Sequence, residues 1–334
     1  MFERLNYFRF YLALCVLAFH VHRDLVPMAG ILAVLAFFFV SGFLVSKMLS
    51  ETYVGRHRSF LTNRFLRLFP AYWASFLIGL CLILVIPEEL KSVNKALQLP
   101  DQFDHWVSNI FIFGLQGLKS RVVPPAWSLD VELNWYVIFF ILSFFALKYR
   151  VLFLCFVCVA FFLFVFPYRV PFYGDVLGSG FAFSLGALHY YIKPKISRGL
   201  VVSSSVIIPP YMFLLPHLPI ISDAAQGALA HWLVPFIFVA VLFLSFGFFL
   251  KPHSVEGERK GLARFSDLFG ALSYPVFLTH WYASGITLYL FEAEKNTIIN
   301  LVGTIVITLF LSFIVVVLVE RPVLKVRLKV RKST

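Results

Sequence analysis

Charge is scarce in this sequence: only 14% of its 334 residues are Asp, Glu, Lys or Arg, where a soluble globular chain carries about a quarter. Acid is scarcer than base, with 17 Asp and Glu against 29 Lys and Arg. Apolar runs of about 20 residues therefore recur, and little chain remains from which to build a soluble domain. Cysteine is rare as well. The four, Cys15, Cys81, Cys155 and Cys158, all lie inside apolar runs, which excludes a secreted disulfide framework. Cys155 and Cys158 have the spacing of a redox pair, but their setting, FLCFVCVA, offers nothing polar to stabilise a thiolate. Internal repeats, low-complexity tracts and Gly/Ser linkers are missing, as are the parallel or inverted halves of many transporters. No small-x-small cleavage site follows the first apolar stretch. His20, His22, Arg23 and Asp24 come instead, so the first span reads as uncleaved.

What is there is apolar: 60% of the residues are hydrophobic. The pattern predicts an all-α integral membrane protein, a single transmembrane domain over residues 1–334 with no appended soluble domain. Ten spans are expected, at 6–23, 27–48, 68–87, 128–147, 151–167, 175–192, 199–216, 227–250, 271–290 and 298–319. The segment from Trp106 to Leu118 is too short to span and reads as interfacial or re-entrant. With ten spans, 22 of the 29 basic residues fall on the side that holds both termini and 7 on the other, which places both ends in the cytoplasm and makes residues 320–334 a basic cytoplasmic tail. An eleventh span would invert every later loop, carrying Lys148, Arg150, Lys193, Lys195 and Arg198 outside. The net charge of +12 thus encodes topology and does not point to nucleic acid. One long outer loop, roughly 88–127, gathers Glu88, Glu89, Asp101 and Asp104 among Phe103, Trp106, Phe111 and Phe113, a mixture that suits a carbohydrate or an interfacial helix equally.

Against this background the ionisable residues inside the spans stand out. Arg9 and His20 are eleven positions apart, about three turns plus 20°, so they share one helix face with an axial separation of about 16 Å. A charge at the centre of the bilayer costs roughly 2.5–3.5 kcal/mol, so such residues face a bundle interior and are functional candidates, although a lone histidine can also simply cap a helix end. In PAWSLDVELNWY, Ser128 and Asp130 suit the start of the fourth span, while Glu132 sits a turn deeper, at a depth similar to His20, where a carboxylate can orient an imidazole. Arg64 and Arg67, three apart, are neighbours on a helix surface and can grip phosphate or merely anchor the inner face. Ser41 and Gly42 in FFFVSGF permit close helix approach. Pro275 can kink its helix, His280 falls near mid-membrane, and Glu320 is positioned to pair locally with Arg321.

Together, R-x10-H (Arg9, His20), F-F-x-x-S-G-F (Phe37 to Phe43), R-x-x-R (Arg64, Arg67), W-S-L-x-V-E (Trp127 to Glu132) and L-S-Y-P-x-x-L-x-H (Leu272 to His280) resemble the acyltransferase-3 family of membrane O-acyltransferases. Five motifs in order over nearly the whole chain carry the resemblance. The first span reads LNYFRFY where the family has an L-D-G-L-R-G-type run, and WSLDVELNWY replaces W-S-L-S-V-E-E-Q-F-Y. The resemblance implies a ten-helix enzyme of the bacterial cytoplasmic membrane that moves an acyl group, commonly acetyl, from cytoplasmic acyl-CoA to a sugar hydroxyl of a surface polysaccharide or its lipid-linked precursor. It implies His20, Glu132 and Arg9 as catalytic residues and Arg64, Arg67, Ser41 and Tyr274 as contacts of the donor. Trp127, Asp130 and His280 are expected to meet the acceptor; acetyl-CoA is the co-substrate and no metal is expected. The rival classes are a transporter or flippase of a polysaccharide precursor, which would release no CoA, and a non-catalytic partner of a polysaccharide synthase, which would tolerate loss of His20.

Overall fold

The protein is described by a computed structural model over residues 2–165, 176–213, 228–250 and 259–332. The described residues form helices joined by short connections, with no strand among them. In chain order the helices are α1 (Glu3–Val21), α2 (Ala29–Lys47), α3 (His57–Val85), α4 (Pro87–Val93), α5 (Phe103–Phe111), α6 (Trp127–Leu142), α7 (Leu147–Ala160) and α8 (Val176–Ile192). They continue with α9 (Arg198–Phe213), α10 (Ala228–Phe249), α11 (Arg259–Phe291), α12 (Ile298–Val315) and α13 (Arg321–Lys332). Among the described residues, three stretches are long and apolar enough to cross a membrane: Ala29–Thr52, His57–Val85 and Ile298–Arg331. The expected span ends at 166–167, 175, 214–216 and 227 lie outside the described residues, as do Arg169 and Lys251 of the charge count.

The side chains are sorted for an apolar surround. On α12 the polar residues Asn300, Thr304, Thr308 and Ser312 recur every fourth position and are buried, while Val302, Val306, Phe310 and Phe313 are exposed. A 3.6-residue repeat places each set on its own face. In water this arrangement would be inside out; in lipid it puts hydrocarbon against hydrocarbon and turns hydroxyls toward partners. Those partners lie on α11: Thr304 and Thr287 are 3.5 Å apart, and Thr279 and Ser312 3.3 Å. Pro275 does not end α11, which runs as one helix from Arg259 to Phe291.

The chain divides into two compact units, each built from separated segments. The first comprises Met1–Phe8, Val26–His57 and Val131–Glu256. Its central contact is α2 against α8, where two F-x-x-G quartets meet head to tail. A Cβ on Gly42 would fall on the backbone carbonyl of Phe183, and one on Gly186 on that of Phe39. This reciprocity makes the pair antiparallel and lets the backbones touch where any larger residue would hold them apart. The fourth expected span is cut short here: α6 ends at Leu142, because Arg150 turns back and donates to the carbonyls of Ser143 (2.6 Å) and Phe145 (2.8 Å).

The second unit comprises Arg9–Leu25, Arg58–Asp130 and Gly257–Thr334 and contains the long loop. The short segment expected at Trp106–Leu118 is instead a helix from Phe103 to Phe111, closed by left-handed backbone at Ile112 (φ 56°) and Gly114 (φ 67°). Phe103 (83% exposed), Val107 and Phe111 (57%) lie four apart on its outer face, the pattern of a helix lying in a membrane interface. Its inner face buries Asn109, whose amide donates to the carbonyls of His105 (2.9 Å) and Ser120 (3.1 Å) and accepts from the N–H of Val122 (2.9 Å). Tyr72 donates to the carbonyl of Asn109, Trp73 to that of Ile110 (2.9 Å), and Tyr282 to that of Val122 (2.7 Å). At the exposed rim His105 donates to Asp101 (2.7 Å), which holds that carboxyl below its ordinary range.

Two outcomes follow from this packing. Gly42→Ala or Gly186→Ala should each lower stability by about 1–3 kcal/mol through overpacking, read as an earlier thermal unfolding midpoint in detergent, whereas Gly117→Ala, whose added methyl meets nothing within 4 Å, should leave the midpoint unchanged. Asn109→Leu should strip three backbone partners at once; limited trypsin digestion should then cut at Lys119 or Arg121 well before it cuts the parent protein, and equal resistance would refute the anchoring role of this amide.

Candidate functional site

Helix α1 carries Arg9 and His20 without a break, so their predicted alignment on one face stands on a continuous helix. The His20 ring packs on two aromatic neighbours of α11. Its centroid is 5.3 Å from that of His280, with the planes 8° apart, and 4.6 Å from that of Trp281. His280 is fully buried, and its Nδ1 lies 2.8 Å from the carbonyl oxygen of Phe277. A carbonyl only accepts, so Nδ1 carries the hydrogen and Nε2 of the neutral ring presents a lone pair. That Nε2 is buried with no hydrogen-bond partner among the described residues. Two imidazoles that the sequence reading gave separate roles are thus brought face to face.

Glu132 has a different neighbourhood, in the first unit. Its carboxylate accepts from the hydroxyl of Ser41 at 2.5 Å and from that of Tyr136, which itself stands 3.3 Å from Ser41. Ser41 was expected beside the donor; here it ties α2 to α6 through this carboxylate. Nothing in the W-S-L-x-V-E spacing announces Tyr136, although it lies one turn after Glu132 on the same helix face.

The basic end of α3 is more elaborate than two neighbouring arginines. Arg67 donates to both oxygens of Glu320 at 3.1 and 3.2 Å, and its guanidinium lies 5.3 Å from the ring of Tyr274. The local Glu320–Arg321 pair expected from the sequence gives way to this long-range one, because the carboxylate is turned inward (8% exposed) and Arg321 outward. Tyr274 donates to the carbonyl of Leu68 at 3.0 Å, so its hydroxyl fastens α11 to α3. Arg64 donates to the side-chain oxygen of Asn63 at 3.4 Å, and Arg327 of α13 donates to the same oxygen at 3.4 Å. Asn63 and Arg327 had no place in the sequence reading. A lone amide abutting R-x-x-R is the available signal for the first, and Arg327 is one of six basic residues between 321 and 332.

The residues expected at the acceptor separate. His280 joins His20. Asp130 is buried and accepts from the N–H of Leu115 at 2.9 Å, so it holds the long loop in place. Trp127, half-buried, opens α6. No group of three His, Cys, Asp or Glu with metal-binding geometry occurs among the described residues.

Residues 2–320 match the acyltransferase-3 family, described as an acyltransferase domain. The chain belongs to that family. The match spans both compact units and ends at Glu320, so α13 lies beyond it. No curated protein and no solved structure matches the chain. Together with the apolar helices, membership makes this a multi-pass membrane acyltransferase. For the acyltransferase the Arg67–Glu320 pair is a structural demand in its own right, since both partners are nearly buried. Glu320→Gln should cost about 3 kcal/mol by stranding the Arg67 charge, and Arg67→Met in the same chain should restore most of it; a double variant no more stable than the single one would refute the coupling.

Proposed function

We propose that the protein transfers an acyl group, commonly acetyl, from cytoplasmic acyl-CoA to a hydroxyl of a surface polysaccharide or its lipid-linked precursor, as a ten-span enzyme of the bacterial cytoplasmic membrane with both ends inside. The observation that carries this reading is the stacked pair of His20 and His280, in which the His280 ring is fixed through Nδ1 and its buried Nε2 has no hydrogen-bond partner among the described residues. Membership of an acyltransferase family supports it.

In this mechanism the acceptor hydroxyl oxygen attacks the thioester carbonyl carbon while a ring nitrogen of His20 takes the hydroxyl proton. The tetrahedral oxyanion then collapses, the carbon–sulfur bond breaks, and the proton passes from His20 to the departing CoA thiolate. General base catalysis of this kind contributes about 10²–10⁴ in rate, and holding both substrates in register supplies much of the remainder. His280 keeps the His20 ring in one orientation by stacking, and its Nε2 is an acceptor for a second hydroxyl of the sugar. Arg9, about 16 Å away along the same helix, borders the path of the pantetheine arm.

The test is thiol release. Purified protein supplied with acetyl-CoA and its acceptor glycan should liberate free CoA, and His20→Ala should reduce that release at least about a hundredfold while membrane levels and the unfolding midpoint stay at the parent values. Nuclear magnetic resonance of the surface glycan, with and without the gene, identifies the acyl group and the hydroxyl together. Turnover that survives loss of His20 would overturn the assignment. A pure transporter would release no CoA in either protein.

A further inference from the structure

Just past its end, α1 carries a cation that membrane topology does not call for. In the ten-span reading Arg23 is one of the seven basic residues on the side away from the termini, so the rule that gathers positive charge in the cytoplasm gives it no role. It lies three residues after His20, in a turn that continues the helix: the N–H of His22 donates to the carbonyl of Ala18 at 2.8 Å, and that of Leu25 to the carbonyl of His22 at 3.2 Å. The side chain is exposed, yet its guanidinium carbon stands 5.4 Å from the ring centroid of Phe19. Phe19 is buried (8% exposed), and its ring meets that of His20 at a steep angle with the centroids 5.1 Å apart. One aromatic ring thus separates the guanidinium from the imidazole that serves as base. A cation over a ring engages the face of its plane and leaves the N–H edge for an acceptor. Among the described residues Arg23 enters no ion pair, although the exposed Asp24 follows it in the chain. Beside it, His22 keeps a buried Nδ1 with no hydrogen-bond partner among the described residues.

We infer that Arg23 reads a negative charge on the acceptor, close to the hydroxyl that is acylated. The inference rests on the acyl-CoA reading above and narrows its substrate: the reacting hydroxyl lies at His20, and an anionic group on the same sugar or the next is gripped by the forked guanidinium. Two parts of such an acceptor offer this chemistry, the carboxylate of an acidic sugar and the diphosphate of a lipid-linked precursor. A phospholipid headgroup also attracts an exposed arginine at a membrane surface, but it draws the side chain outward along the lipid boundary. Here the guanidinium is held over a buried ring next to the base. Arg23 touches no reacting atom in this scheme. Its loss therefore acts on acceptor affinity and leaves the chemical step alone.

The probe is the surface glycan of the cells that make the protein, stripped of acyl groups with mild alkali and divided into three portions: untreated, with carboxylates reduced to alcohols, and with the carrier diphosphate removed by mild acid. CoA release by the full-length protein in neutral detergent is followed against each. For the parent, KM should rise about tenfold or more on the treated portion that has lost the recognised anion, the size of one charge-assisted hydrogen bond. Arg23→Gln should raise KM for the untreated portion by the same factor, keep kcat within about twofold, and no longer tell the portions apart. Arg23→Lys should fall between, since a point charge replaces the fork. Lys91→Gln, at an exposed position on the same expected side, should keep the parent's preference. If Arg23→Gln does not fold, Arg23→Lys carries the test, with KM raised only for portions that retain the anion. A preference lost on reduction assigns the charge to an acidic sugar, and one lost with the diphosphate assigns it to the lipid-linked precursor. Equal use of all portions by the parent, or a preference that survives Arg23→Gln, would overturn the inference and leave acyl transfer standing. So would an equal loss on every portion in Arg23→Gln, the result expected of an arginine that serves a lipid headgroup. A parent protein that releases no CoA with any portion would overturn the acyl-CoA reading and this inference with it.

Discussion

In hydrocarbon a polar group has no solvent to fall back on, and this requirement organises the molecule. Thr287 finds Thr304, Thr279 finds Ser312, and Asn109 satisfies two carbonyls and an amide. Arg67 reaches across 253 positions of sequence for a carboxylate. A serine hydroxyl on a helix can swing to a carbonyl one turn back when it has nothing better. An imidazole tethered through Nδ1 has no such freedom, which is why Nε2 of His280 differs in kind from the serine hydroxyls with no partner among the described residues. A group that the fold leaves unserved, in a medium where that is expensive, is where chemistry is to be sought.

Much of the architecture was legible because lipid imposes its rules on sequence so directly. Scarcity of charge alone identified the class, and among the described residues three stretches are long and apolar enough to cross a membrane. Boundaries were less legible. Helix α11 runs a dozen residues before the predicted start of its span, since hydropathy reports the edge of the bilayer and not the end of a hydrogen-bond ladder. Helix α6 stops early because Arg150 caps it from the following helix, a contact that no local pattern encodes.

The candidate site divides along the same line. Residues within one helix, such as Arg9 and His20, were placed by periodicity. The stacking of His20 on His280 joins positions 260 residues apart and became visible only in three dimensions. Asp130 entered the reading as a residue suited to the start of the fourth span and as an expected acceptor contact, and the structure adds that its carboxylate accepts from the N–H of Leu115. Glu320 looked local and is not. In both cases the charge was noticed in the sequence, and the group across from it became visible only in the structure.

The loop over residues 103–126 is fastened almost wholly through its own main chain: carbonyls of Asn109, Ile110 and Val122 accept from Tyr72, Trp73 and Tyr282, and the N–H groups of Leu115 and Val122 are taken by Asp130 and Asn109. A peptide group is the same whatever residue carries it. Outward-facing side chains of this segment can therefore be exchanged freely while the five inward anchors stay put, so the surface it presents can vary without rebuilding the helices beneath.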